Sequence, residues 1–261
     1  MNKFEKLNNN LYRLEIPYKD IYTTVYLLDS GNGYILFDAA YTAEDFLKIR
    51  EAVLALGVRE EDISFIFISH HHRDHSWGLC GLNESFSNAI LLARDKDLID
   101  TYKNTRMIRF AEDGEILLGV YRVLPIVGHT HDSAALLDIR SATLISGDSL
   151  QAYGIIGSED WAANIRFVNE YIDALKMLET LDISAIYTAH NFYPTGYSAV
   201  GNEKVRRFLE YCLEPIMNIK RLIDENPDSD NEEIRRIYNR SLDIPRVREN
   251  VIGAVRKAFC K

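Results

Sequence analysis

A mixed α/β fold with an all-helical C-terminal part is predicted by three features of the sequence. Short apolar runs of strand length alternate with stretches whose apolar residues recur every three or four positions. One such run, Ile-Ser-Phe-Ile-Phe-Ile at residues 63–68, ends directly on Ser-His-His-His-Arg-Asp-His at 69–75. After Gly201 the strand-like runs stop, and Phe208, Cys212, Ile216, Ile219 and Ile223 follow at helical spacing.

In chain order, residues 11–16 and 23–28 read as strands. Asp29-Ser30-Gly31-Asn32-Gly33 is a strong hairpin turn, and residues 34–37 form the returning strand, closed by Asp38. Thr42-Ala43-Glu44-Asp45 resembles a capping box. Phe46, Ile49, Val53 and Leu56 continue it at helical spacing, with Gly57 placed to end the helix. Residues 63–68 suit a strand covered on both faces. Residues 89–93 and 115–123 read as further strands, and the polar stretch 100–109 as part of a pocket rim. Residues 143–147 and 183–188 are strands, and residues 164–181 an amphipathic helix. In the C-terminal part, a helix kinked near Pro215, a second capped by Ser229-x-x-Glu232 and a last one over 244–259 are expected.

Size and composition set the class. A chain of 261 residues, 47% apolar and 26% charged, can bury a sizeable core as one large domain, or one with a small appendage. The net charge of −9 is uneven: residues 1–200 carry 17 basic and 28 acidic side chains, whereas 201–261 carry 13 and 11. The larger part repels a phosphate-rich polymer, so nucleic acid is a disfavoured partner and a small-molecule substrate the expected one. No long apolar run suggests a membrane span, and the polar residues 1–10 do not read as a signal peptide, so a cytoplasmic location is expected. Cys80, Cys212 and Cys260 form no Cys-x-x-Cys pair and read as structural or incidental thiols.

The chemistry concentrates in three motifs. In the first, if the extended backbone continues past residue 68, His70 and His72 face one side and His71 and Arg73 the other. Asp74 and His75 are adjacent and can share a site only if the chain bends there. A histidine-rich surface loop is the bland alternative. It is outweighed because so many titratable groups at the end of a buried strand are costly unless paired or coordinated. The second motif is Gly128-His129-Thr130-His131-Asp132, after the apolar run 123–127. The third, Ser146-Gly147-Asp148, places a carboxylate at a strand end, and a further strand leads into Ala189-His190-Asn191.

The order His70-x-His72-x-Asp74-His75, followed by Gly128-His129-Thr130, Gly147-Asp148 and His190, resembles the metallo-β-lactamase superfamily. The resemblance implies a four-layer αββα sandwich as a catalytic domain over residues 1–201, with residues 202–261 as a helical extension packed on it. It implies that His70, His72 and His129 hold one metal and Asp74, His75 and His190 another, with Asp148 shared. The ions would be two divalent metals, zinc first, with manganese or iron as the other candidates. The activity implied is a metal-dependent hydrolase using hydroxide held by two ions to cleave a small ester, lactone, thioester or phosphodiester, with Asp74 as the catalytic carboxylate that orients it.

The branch containing glyoxalase II, lactonases and phosphodiesterases fits best, because the shared carboxylate is present. Glyoxalase II usually continues with Gly-Cys-Gly-Arg, where this chain has Ser149-Leu150-Gln151-Ala152-Tyr153-Gly154, so thioester specificity is not implied. The di-iron oxidases typically carry Glu where this chain has His72. The alternative reading is a mononuclear non-haem iron oxygenase of the persulfide dioxygenase type, which shares much of the motif. His131 replaces part of the family's usual sequence and is open to three roles: substrate contact, orienting group or exposed side chain. Tyr153, Trp161, Tyr193 and Tyr197 lie near motif positions and are candidates for a pocket wall or for core.

Overall fold

Strand β1 (Glu5–Lys6) opens a run of antiparallel neighbours: β2 (Leu11–Tyr18), β3 (Ile21–Asp29) and β4 (Tyr34–Phe37). The computed structural model describes residues 3–82, 85–156, 158, 161–241 and 246–259. Helix α1 (Ala43–Ala55) leads through a 3-10 turn to β5 (Ile63–Phe67), and α2 (Arg73–Ser76) is a single turn that runs into another 3-10 segment. The chain continues with β6 (Ile90–Ala93), α3 (Lys96–Tyr102), β7 (Ile108–Phe110), β8 (Ile116–Leu117), β9 (Tyr121–Pro125) and β10 (Ala134–Asp138). Then come β11 (Thr143–Gly147), α4 (Val168–Glu179), β12 (Ala185–Phe192), β13 (Gly196–Val200), α5 (Asn202–Glu225), α6 (Asn231–Ser241) and α7 (Glu249–Phe259). Among the described residues the strands fall into two sheets. Among the described residues no helix is long and apolar enough to cross a membrane.

The chain divides into two units, Met1–Leu124 with Ala134–Arg140, and Pro125–Ser133 with Ser141–Lys261. The first holds a seven-stranded sheet in the order β1 to β7, together with β10, β9 and β8 of the other sheet. From β4 onward the seven-stranded sheet is parallel, with Phe37 opposite Phe67 and Phe67 opposite Leu92. Residues that follow β4 and β5 therefore emerge side by side at the carboxyl edge of the sheet, where parallel sheets place their ligands. Helix α1 buries Phe46, Ile49, Ala52 and Val53 in the core of this unit, each large side chain contributing about 1.5–3 kcal/mol. Its capping box is present: the Thr42 hydroxyl accepts from the Asp45 amide at 3.1 Å and Asp45 accepts from the Thr42 amide at 3.1 Å.

The second unit holds β11, β12 and β13 in that order, with α4 to α7. Strands β11 and β12 are parallel, with Gly147 opposite Thr188, so their carboxyl ends also emerge together. Helix α5 buries Val205, Phe208, Leu209, Cys212, Ile216, Ile219 and Ile223, the face its spacing predicts, and runs unbroken through Pro215.

Several expectations change. Residues 115–123 form a hairpin, because Leu118 and Gly119 both take positive φ, 48° and 76°, and turn the chain back. The stretch 100–109 is the end of α3 and the start of an edge strand, and within it Thr101 and Tyr102 do line a cavity, together with Tyr41, Trp77, Cys80 and Leu98. Strands β10 and β13 carry no strong alternation, and the sequence does not predict them. Asp230, whose carboxylate accepts from the Glu233 amide at 2.8 Å, caps α6 in place of Ser229. The expected start of the last helix at Ile244 lies outside the described residues, as does Cys260; the helix is seen from Glu249.

Candidate metal centre

In the first unit, the sheet edge after β4 and β5 brings Asp38 beside Ser69. The Asp38 carboxylate accepts from the Ser69 amide at 2.8 Å and the Ser69 hydroxyl at 2.9 Å, and lies 2.7 Å from His75 Nδ1. Burial pushes the Asp38 carboxyl up from its ordinary range, and the contacts with His75 and Ser69 resist that rise. With Nδ1–H donated to Asp38, the His75 lone pair sits on Nε2, which lies 3.5 Å from Asp74 Oδ2. The bend that Asp74 and His75 require is supplied by α2, which begins immediately after His72. The ring of His70 lies 4.7 Å from that of His72 and 4.3 Å from that of His75. His71 turns instead toward Asp95, with Nδ1 4.0 Å from its carboxylate.

In the second unit, Asp148 follows Gly147, which takes φ +55° at the end of β11. Its two oxygens divide between two imidazoles: Oδ2 lies 3.7 Å from His129 Nε2 and Oδ1 lies 3.3 Å from His190 Nε2. All three residues are buried. His129 follows Gly128, where an added Cβ would stand 2.3 Å from Tyr171 Cδ2, so only glycine lets the motif lie against α4. His190 lies inside β12, not at its end as expected. A register shift between Tyr187 and Phe192 separates two stretches of pairing with β13, and Thr188 donates its hydroxyl to the His190 carbonyl at 2.8 Å.

These donors suit a metal. Imidazole nitrogens and carboxylate oxygens without thiolate fit zinc, iron or manganese. Tetrahedral donors at zinc's usual bond lengths stand about 3.3–3.4 Å apart. The 3.3 Å separation of Asp148 from His190 is of that size, and the 3.7 Å separation from His129 is a little wider. Histidine and aspartate side chains dense enough to hold an ion are present among the described residues.

The remaining candidates sort by exposure. The His131 side chain is 61% exposed, with Nδ1 3.9 Å from Asp132. Tyr153 donates its hydroxyl to Glu214 of α5, and burial followed by that carboxylate holds its phenol well above the ordinary value. Tyr193 lies beside it, with ring centres 6.1 Å apart, while Trp161 carries the Arg248 guanidinium 5.9 Å from its ring centre and Tyr197 is half-buried. Motif reading missed Asp38 and Asn164. The signal for Asp38 was available, since it ends a strand parallel to the one that delivers the histidines.

The sequence profile of the metallo-beta-lactamase superfamily matches residues 18–190. The chain belongs to this superfamily. It is 25% identical over 252 residues to a beta-lactamase-like protein 2 homolog of Caenorhabditis elegans, covering 92% of this chain and 79% of that protein. It is 24% identical to hydroxyacylglutathione hydrolase 1 of Vibrio vulnificus, over 64% of this chain and 62% of that one. It is 25% identical to an atrochrysone carboxyl ACP thioesterase of Paecilomyces divaricatus, over 64% of this chain and 50% of the relative. The superfamily member thus spans between half and four fifths of the length of these relatives.

Among solved structures, a metallo-beta-lactamase family protein of Thermus thermophilus superposes with a TM-score of 0.66 at 20% identity, over 96% of this chain and 92% of that one. A flavodiiron protein of Giardia intestinalis gives 0.63 at 18%, over 81% and 59%. Both share the fold: mixed α/β with two sheets and helices.

Proposed function

We propose that the protein is a dinuclear metal-dependent hydrolase of a small ester, lactone, thioester or phosphodiester. The observation that carries this reading is the division of the Asp148 carboxylate, one oxygen toward His129 and the other toward His190. A carboxylate so placed is suited to serve two ions at once.

By membership of the superfamily, His70, His72 and His129 would hold one ion, and Asp74, His75 and His190 the other, with Asp148 common to both. Two bound divalent ions, zinc first, supply a water of lowered pKa and a Lewis acid for the substrate's carbonyl or phosphoryl oxygen. Asp38 holds His75 in the tautomer that leaves Nε2 its lone pair. Asp74 is half-buried, so its carboxylate can orient the attacking water and pass a proton outward. The C-terminal helices belong to this reading as an extension over residues 202–261 on a catalytic domain of residues 1–201. Tyr153, bonded to Glu214, joins the segment after Asp148 to α5.

The test is a panel of chromogenic esters, lactones, thioesters and phosphodiesters on metal-quantified protein. Thioesters belong in it because two relatives are named for thioester-type substrates. Turnover of one class with two zinc or manganese ions bound supports the reading. One iron per chain with oxygen uptake would overturn it.

A further inference from the structure

We propose that a cavity beside the histidine loop binds an organic ammonium ion, a cation carried on an apolar or aromatic body. The cavity lies within the first unit, and none of the residues lining it is among the seven candidate metal ligands. Its occupation does not depend on how many ions the chain holds.

The cavity holds about 390 Å³, within the range of roughly 300–1,000 Å³ usual for small-molecule sites. The 3-10 segment after α2 gives it Trp77 and Cys80, and α3 gives it Asp97, Leu98, Thr101 and Tyr102. Tyr41 stacks on Trp77, with ring centres 5.9 Å apart and planes 12° from parallel. The Arg73 guanidinium stands 4.2 Å from the Trp77 ring centre. Trp77 is therefore held by a ring and a cation although it is 46% exposed. A tryptophan so held is a rigid wall, with little side-chain freedom left to lose when a ligand arrives. Ser76, which also lines the cavity, donates its hydroxyl to the His71 and His72 carbonyls at 3.0 and 3.1 Å. An occupant would thus stand against the loop that carries candidate metal ligands.

Charge selects the occupant. Asp95 and Asp97 both line the cavity, and no lysine or arginine does. Both acids also suit the N-terminus of α3, where Asp95 is the cap and its Oδ1 accepts from the Leu98 amide at 2.7 Å. Capping needs one oxygen, and serine or asparagine would supply it without a charge. The second oxygen, Oδ2, lies 4.0 Å from Nδ1 of His71, another lining residue, a separation too long for a hydrogen bond. Asp95 is only 8% exposed, so solvent and salt screen its charge weakly. The two carboxylates attract a cation, and aromatic walls suit the alkyl groups around an ammonium nitrogen. The same carboxylates repel an anion. A neutral apolar ligand would desolvate Asp95 further with nothing to offset the cost.

The test is titration calorimetry on the full chain with benzyltrimethylammonium, whose nitrogen has no lone pair for a metal, against neutral 2-phenylethanol. The cation should bind at least about threefold more tightly than the alcohol. Asp95→Asn keeps the cap and removes the charge, while Asp97→Asn removes a charge from an exposed position that does not cap the helix. Each should weaken the cation about 3–10-fold and leave the alcohol unchanged. Asp100→Asn is the control, on the same helix but outside the cavity and paired with Lys103 at 2.9 Å. It should change the affinity by less than about twofold, because screening separates it from the site. Bound cation should also slow alkylation of the exposed Cys80, followed by peptide mass spectrometry. Equal affinity for cation and alcohol overturns the proposal, as does full affinity in both cavity variants. So does an effect of Asp100→Asn as large as that of Asp95→Asn, or a Cys80 that alkylates at the same rate with the cation bound.

Discussion

The carboxylate of Asp38 and the imidazole of His75, 37 residues apart in the chain, meet at 2.7 Å in a fully buried contact. Asp38 reaches it with a left-handed backbone, φ +68°, and also accepts from both the amide and the hydroxyl of Ser69. The acid thus orders the loop that carries the histidines and sets the tautomer of one of them.

Substitution Asp38→Asn tests that dual role. The Ser69 amide still needs an acceptor, so the new NH2 would face His75 Nδ1 and force its proton to Nε2. Zinc affinity should fall about 10–100-fold, measured by chelator competition. Unchanged affinity would show that the contact only supports packing.

At Gly128 the constraint is steric. A methyl group there meets the Tyr171 ring at 2.3 Å, and that ring is fully buried. Gly128→Ala should cost about 1–3 kcal/mol by urea denaturation, as overpacked cores do. Combining it with Tyr171→Leu should recover part of the loss.

The capping box of α1 offers a simpler check. Thr42→Ala removes the acceptor for the Asp45 amide and should lower stability by about 1 kcal/mol, with no change in metal affinity. A cost near zero would mean that solvent replaces the hydroxyl without penalty.

Burial pushes the Cys212 thiol from its ordinary 9.0 up to about 11. Below about pH 8 the thiol is protonated whether the chain is folded or not, so its full contribution is present. As pH rises from 9 toward 11, the unfolded chain loses the proton first and the contribution declines, by up to about 2–3 kcal/mol. The stability gap between the parent and Cys212→Ala should therefore narrow over that window in urea melts. At pH 8 the exposed Cys80 should alkylate in the native protein, while Cys212 reacts only after unfolding.

Much of the candidate centre was legible because its chemistry is written in adjacent residues. The spacing of His70, His72, Asp74 and His75 carries both the alternation of a strand end and the bend of α2. Strand β5 and helix α1 were legible for similar local reasons, an apolar run and a capping box. What stayed hidden depends on contacts distant in sequence. Asp38 reads as an ordinary strand terminus until the parallel register of β4 and β5 brings it to Ser69. The Asn164 carbonyl comes to stand 2.9 Å from His129 Nδ1 only when the chain folds back beside it. Strand β10, Ala-Ala-Leu-Leu-Asp, is buried at every position, so it shows no period by which to recognise it.

The central proposal is that seven side chains would hold two ions, with Asp148 serving both, and metal content tests it most directly. Zinc-loaded, desalted protein should carry two ions per chain by elemental analysis, and Asp148→Ala fewer than one, with the circular dichroism of the fold retained. A parent that retains no zinc, or an Asp148→Ala variant that still carries two, would contradict the account.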